Sequence, residues 1–249
     1  MIYRVDYLLA LIFAGLVFGA AFGRLAMKIQ PSRLARIYFC TVVALLALRA
    51  AAFAAGMLLS SGTFWSTVSS ATGDAGNFLF GALFGLAAFR QDRREFLLNT
   101  EVYSALCLSV ALNFAIAGLG KAFSIEAMVP FFAQSGYSTS FLKFIVIAEV
   151  FGGMGLLIPW AMLPSLIGLS IDMFGAVATH IHNGDPIHDS TGAIGMLIRL
   201  STLAVLWAMR RPARVKASMR ASLLGVALGA VACAIVAVSG SALMRHISH

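Results

Sequence analysis

Charge is what this 249-residue chain has least of: Asp, Glu, Lys and Arg together make up 11%, against about 25% in an ordinary soluble domain. Apolar residues fill 60% of the positions and mean hydropathy is +0.91, which excludes a soluble globular fold. Cysteine is nearly as scarce. Cys40, Cys107 and Cys233 sit inside or at the inner ends of apolar runs, form no Cys-x-x-Cys, and read as small buried hydrophobes. Without a dithiol or a zinc-type cysteine spacing, disulfide exchange by this chain alone and a cysteine metal site are both excluded. Haem-ligand pairs, a flavin fingerprint and iron–sulfur spacing are also missing from the sequence, so any electrons would come from a partner. The six prolines, Pro31, Pro130, Pro159, Pro164, Pro186 and Pro212, all fall at or beside connections between apolar runs.

Those runs are the dominant presence. Eight stretches approach or reach the length of about 20 residues that crosses a bilayer: 7–25, 37–59, 71–89, 102–120, 142–158, 162–180, 192–209 and 221–243. The pattern predicts an all-α, polytopic membrane protein of about eight transmembrane helices. The third is the weakest, since its purely apolar part spans half a bilayer unless the Ser/Thr/Gly-rich approach joins the helix. Three regions are expected: a three-helix N-terminal membrane region (1–98), a four-helix bundle (99–211), and a basic loop with a final helix (212–249).

The formal charge of +8 reads as topology rather than as affinity for nucleic acid, because Lys and Arg stay on the cytoplasmic side. Arg24, Lys28, Arg33 and Arg36 lie in the first loop, Arg90, Arg93 and Arg94 in the third, and Arg210, Arg211, Arg214, Lys216 and Arg220 in the seventh. Loops between them, such as 60–70 and 181–190, carry no Lys or Arg. The expectation is a bacterial-type inner membrane protein with both termini non-cytoplasmic and the bilayer as its surroundings. Arg4 followed by small residues near Ala20 and Ala21 imitates a signal peptide, but that run leads straight into a basic stop.

Ionisable groups inside a bilayer must pair, face the bundle interior, or line a wet cavity. Ser109, Asn113, Ala117 and Lys121 share one face of the fourth run at four-residue spacing. Glu149 precedes Gly152 and Gly153. Ser165, Gly168, Asp172, Gly175, Ala176, Thr179 and His180 form a small-or-polar stripe, as do Gly192, Gly195, Arg199 and Thr202. Counted at about 1.5 Å per residue, Glu149, Asp172 and Arg199 lie roughly 10–13 Å below the outer surface, with Lys121 nearer the mouth. A ligand-binding pocket or proton path opening outward is expected from Lys121, Glu149, Asp172, Arg199, Asn113 and His180. Structural glue that fixes helix register is the alternative. Arg49 is expected to turn toward Glu149 or Asp172, and Asp74 and Asn77 to cap the third helix.

The sixth loop places His180, His182, Asp185, His188 and Asp189 within ten residues. Imidazole and carboxylate suit zinc, copper or iron, which makes His180, His182, His188 and Asp189 weak metal candidates, with a titrating or hydrogen-bonding loop as the plainer reading. The loop 122–141 holds Phe123, Phe131, Phe132 and Tyr137 and no basic residue before Lys143. It reads as an interfacial segment over the outer mouth, an aromatic anchor more than a lid.

Gly118-Leu-Gly-Lys121, the segment ending near Ser135-Gly-Tyr137, Ala148-Glu149-Val-Phe-Gly-Gly153, and the sixth run ending in Thr179-His180 resemble the DoxX/DoxD-like membrane proteins over roughly 101–209. Their four-helix unit shows Gly-x-x-Lys, Glu-x-x-Gly-Gly and a small-residue third span ending in His, so Lys121, Glu149 and His180 fall on family positions. Asp172 and Arg199 rest on the helical-face argument alone. The resemblance implies an accessory subunit of a quinone-linked oxidoreductase, with quinone supplied by the membrane or a small anionic sulfur compound as ligand. Whether the chain is itself an enzyme stays open. A proton-coupled transporter and a non-catalytic assembly or scaffold subunit of a membrane complex are the alternatives. The additional N-terminal spans and the eighth span depart from the four-span pattern.

Overall fold

The computed structural model describes residues 5–58 and 62–210. Among these residues it is helical throughout and contains no strand. In chain order the helices are α1 (Val5–Leu25), α2 (Pro31–Leu58), α3 (Gly62–Ala88), the short α4 (Arg93–Leu97), α5 (Thr100–Phe123), α6 (Ile125–Gln134), α7 (Thr139–Gly155), α8 (Met162–Asn183) and α9 (Thr191–Arg210). Five of them, α1, α2, α5, α8 and α9, are long and apolar enough to cross a membrane, and the bent pair of α6 and α7 brings the number to six. The expected count of eight is therefore not reached among the described residues. The expected run 221–243 and the basic loop before it lie outside them. The remaining shortfall is α3, which is 27 residues long but polar over its first half. Its Ser/Thr/Gly-rich approach does join the helix, and this carries Asp74 and Asn77 into its middle. They cap nothing, which corrects the expectation for both.

The chain divides into two compact units within α5: Met1–Leu112, and the residues from Asn113 onward. In the first unit α1 and α3 touch backbone to backbone. Gly15, Gly19 and Gly23 recur every fourth residue on α1, and Gly81 and Gly85 answer them on α3. A Cβ added at Gly15 would collide with the Phe78 carbonyl, at Gly19 with that of Ala82, at Gly81 with that of Ile12, and at Gly85 with that of Leu16. Burial in lipid gives no hydrophobic push between helices, so close packing of small residues holds this crossing. The large side chains of α1, Phe13 and Phe18 among them, point outward instead.

Also in this unit, α2 lies on α3. The Tyr38 hydroxyl donates to the Leu79 carbonyl at 3.4 Å. The Arg49 guanidinium stands against Gly73, with its carbon 3.7 Å from where a Cβ there would be. Asp74 accepts from the Tyr7 hydroxyl at 3.3 Å. At the α3–α4 turn the Arg90 side chain is almost wholly buried and donates to the Ala26 and Ile29 carbonyls (3.2 and 3.0 Å) and to both Asp92 oxygens (2.7 and 2.8 Å). These hydrogen bonds hold the Asp92 carboxyl below the ordinary carboxylate range and Arg90 above its own usual value.

In the second unit α7 packs on α6 and α8, and α8 on α9. The segment 122–141, read from sequence as a loop, is mostly the helix α6, set at 117° to α7 across a four-residue break. The break is made by Gly136, whose φ of +78° only glycine adopts freely. Its N–H bonds the Ala133 carbonyl at 3.0 Å, and the following Tyr137 N–H bonds that of Phe132 at 2.8 Å. Ser138 then caps α7, its hydroxyl accepting from the Phe141 N–H at 3.2 Å.

Candidate functional site

Three of the residues expected to form a site come together in the second unit. The Lys121 ammonium, near the end of α5, donates to both carboxylate oxygens of Glu149 in α7, at 2.7 and 2.6 Å. Only 3% of the Glu149 side chain is exposed, against 26% for Lys121. The pair is therefore anchored at its acid and open at its base. Asp172, on α8, lies within electrostatic range of both Glu149 and Lys121. Its Oδ2 is enclosed and has no hydrogen-bond partner among the described residues. A buried polar atom in that state costs on the order of 1–3 kcal/mol, which makes it the most conspicuous unmet demand in this unit.

The glycines around these residues set the spacing. A Cβ at Gly118, one turn before Lys121, would stand 2.7 Å from the Val150 side chain and 3.0 Å from the Val146 carbonyl. Gly118 thus lets α7 come close enough for a lysine to reach Glu149 directly. Gly152, three residues after Glu149, does the same for α8, because a Cβ there would meet the Leu169 side chain at 2.8 Å. Gly155 admits the Ser165 hydroxyl. Lys121 and Glu149 therefore each have a glycine three residues away that draws in the next helix.

A second polar group lies at the C-terminal end of α8. Gly184, with φ of +72°, ends the helix, and the chain turns so that Asp185 meets His180 Nδ1 at 2.8 Å. The Phe131 ring lies 5.4 Å from the His180 ring, Asn183 donates to the Ser135 hydroxyl at 2.8 Å, and the Tyr137 and Thr179 hydroxyls are 3.0 Å apart. The α6–α7 elbow is thus pinned to the end of α8 by side chains from both sides of its break. His180 belongs to this fastening, a role its place in the sequence did not suggest.

For metal binding, no group of three or more His, Cys, Asp or Glu side chains converges among the described residues. His188 meets its own neighbour Asp189 at 3.4 Å, while His180 is turned to Asp185. The helix end sends the histidines different ways, so the weak candidates His180, His182, His188 and Asp189 do not assemble. Arg199 is buried in α9, and Asn113 is half-buried in α5, two turns before Lys121. Each has contacts of its own.

Residues 105–209 match the model of the DoxX-like family. This region is a DoxX-like domain. The chain matches no curated protein and no solved structure. The protein is a membrane protein, all-helical among the described residues, in which the DoxX-like region takes in α5 from Ala105, the α6–α7 elbow, α8 and nearly all of α9. It includes the Lys121–Glu149 pair, Asp172 and the His180 fastening. Sequence reasoning missed the elbow, although the Ser-Gly-Tyr at 135–137 and Pro130 marked a turn nearby. It also missed the glycine crossing in the first unit, which the four-residue repeat at 15, 19 and 23 signals directly.

Proposed function

We propose that the DoxX-like domain serves a membrane redox system as an accessory, ligand-holding subunit, and that the Lys121–Glu149–Asp172 cluster receives a quinone. One observation carries this reading: an ammonium left partly open lies within electrostatic range of a carboxyl whose Oδ2 nothing in the described residues satisfies. Structural glue would pair every member. A site kept for a ligand leaves one short.

The ligand choice follows from charge. Lys121 is already matched by both oxygens of Glu149, and Asp172 adds a second carboxylate. A small anionic sulfur compound entering here would meet carboxylates without a spare cation, at a cost that low dielectric magnifies. A neutral, polar-ended ring suits the cluster better and is abundant in the bilayer itself. Asn113 and Arg199 supply the flanking polar wall, and redox partners supply the electrons. The basic loops favour an inner membrane location with the open side of the cluster facing outward.

The test is direct binding. The purified chain in nanodiscs, titrated with a short-chain benzoquinone, is expected to show saturable quenching of its tryptophans that Lys121→Met weakens by about tenfold or more. Equal affinity in the two proteins, with both folded, would remove the quinone reading. Proton-gradient-driven uptake into proteoliposomes would replace it with transport, and thiosulfate binding with competition against quinone would restore the sulfur ligand.

A further inference from the structure

At one end of the first unit the α1–α2 turn and the α3–α4 turn are fastened into a single surface. Arg90 Nη2 donates both to the Ile29 carbonyl, at 3.0 Å, and to Asp92 Oδ2, at 2.8 Å, so one nitrogen joins the two turns. Its Nη1 holds the Ala26 carbonyl at 3.2 Å, and the guanidinium lies 5.9 Å from the centre of the Phe96 ring, which is wholly buried. A second guanidinium repeats the joint. Arg24, in the last turn of α1, stands 4.6 Å from the ring centre of Phe89, the residue after α3, and α2 packs on α4.

This platform displays an excess of positive charge. Residues 24–36 and 90–101 hold seven cations against three carboxylates. Asp92 pairs with Arg90 and Glu101 with Arg36, at 3.2 Å, while Glu95 acts electrostatically on Arg90. Lys28, Arg33, Arg93 and Arg94 are exposed and have neither an ion pair nor a side-chain hydrogen bond among the described residues. The start of α2 adds to the field, because the positive end of this 28-residue helix has no acid in its first turn. Arg33 stands there instead.

Position says which anion fits. Both α1 and α2 are long and apolar enough to cross a membrane, so the turn between them lies where hydrocarbon gives way to headgroups. Leu25, Met27 and Phe89 are interleaved with the cations and exposed, Leu25 to 81%. In water such a set would be a liability. At the edge of a bilayer it enters the acyl chains, while the long Lys and Arg side chains reach outward to phosphates. A soluble polyanion would satisfy the charges and leave the apolar side chains bare.

We infer that the platform built from the α1–α2 and α3–α4 turns binds acidic phospholipid, with Lys28, Arg33, Arg93 and Arg94 taking headgroup phosphates and Leu25 and Met27 seated among the acyl chains. Topology alone asks only that cations lie near the ends of spans. It does not ask that a buried guanidinium lock two turns together among them. The Arg90 clamp turns a loose charge bias into a fixed array, and lipid bound there holds α1, α2 and α3 together at one end. No residue of the second unit takes part, so this surface stands independently of the quinone reading.

The test uses the full chain in neutral detergent, with bound lipid counted by native mass spectrometry during titration with phosphatidylglycerol, with phosphatidylcholine of the same chain length, or with inorganic phosphate. Phosphatidylglycerol is expected to bind saturably, about tenfold tighter than phosphatidylcholine, and more weakly as salt is raised. Lys28→Gln combined with Arg93→Gln and Arg94→Gln should remove that preference, whereas Lys143→Gln, which neutralises an exposed cation of α7, should leave it within about twofold. Equal binding of the two lipids overturns the inference, and so does a triple variant that keeps the preference. An equal loss in Lys143→Gln also overturns it, because net charge and not place would then be the cause. Inorganic phosphate that displaces the lipid at equal concentration would leave the apolar side chains without a role. A poly-glutamate peptide that binds and resists displacement by lipid would make the surface a protein-docking one, and either result defeats the lipid assignment. The comparison of the two lipids uses unmodified protein, so a triple variant that does not fold leaves the test intact.

Discussion

The two units use glycine for opposite ends. In the first, the glycines of α1 and α3 bring two backbones together along an apolar stretch. In the second, Gly118 and Gly152 bring helices together so that charged side chains can meet. The same residue type closes a dry contact in one place and opens room for chemistry in the other. The difference lies in what stands three residues away: apolar neighbours flank Gly15 and Gly19, while Lys121 and Glu149 accompany Gly118 and Gly152.

The contrast is most severely tested by Gly15→Leu or Gly81→Leu. Backbone atoms cannot yield as side chains do, so either change should cost more than about 3 kcal/mol and remove folded protein from detergent extracts. Survival at the normal melting temperature would show that α1 and α3 do not cross closely. Next in size is Lys121→Met, which strands a buried carboxylate at a cost near the lower end of about 3–5 kcal/mol, because the lysine is partly open. Adding Glu149→Gln should recover much of it. A double variant no more stable than Lys121→Met alone, measured by thermal unfolding, would mean that the pair contributes nothing as a pair.

Gly118→Ala comes third, at about 1–3 kcal/mol, because the Val150 side chain can move while the Val146 carbonyl cannot. Gly120→Ala, with open space around it, should be neutral or stabilising by up to about 1 kcal/mol. Equal effects at 118 and 120 would break the claim that position 118 sets the helix spacing. The smallest effect concerns the Arg90 turn. Because Asp92 is held below its ordinary range when folded, its contribution is present above the usual carboxylate value of about 4 and fades as pH drops through the lower folded value. Asp92→Asn should therefore lower the melting temperature slightly at pH 7 and hardly at all at pH 3.

How much of this was readable in the sequence depended on distance. Apolar length and charge showed an all-helical membrane protein, and the short motifs at 118–121 and 149–153 marked both the DoxX-like region and the Lys121–Glu149 pair, because ionisable groups in lipid have few places to go. Helix-face arithmetic turned Asp172 inward, and in the structure it lies within electrostatic range of Glu149 and Lys121. Asp74 and Asn77 looked like caps only because the polar stretch before them resembles a loop. In the structure that stretch is helix, and the two residues lie inside it. The α6–α7 elbow was hidden for a related reason: aromatic residues around a proline suit an interfacial loop and a short helix equally well, and only the partner on α8 decides.

The α1–α3 crossing also constrains synthesis. Gly15 and Gly81 are 66 positions apart, and α2 is made between them. At about 5–20 residues per second, α1 must wait several seconds in the bilayer or its insertion machinery with a glycine groove bare to lipid. The N-terminal helix thus enters the membrane as an unfinished surface, completed only when the third arrives.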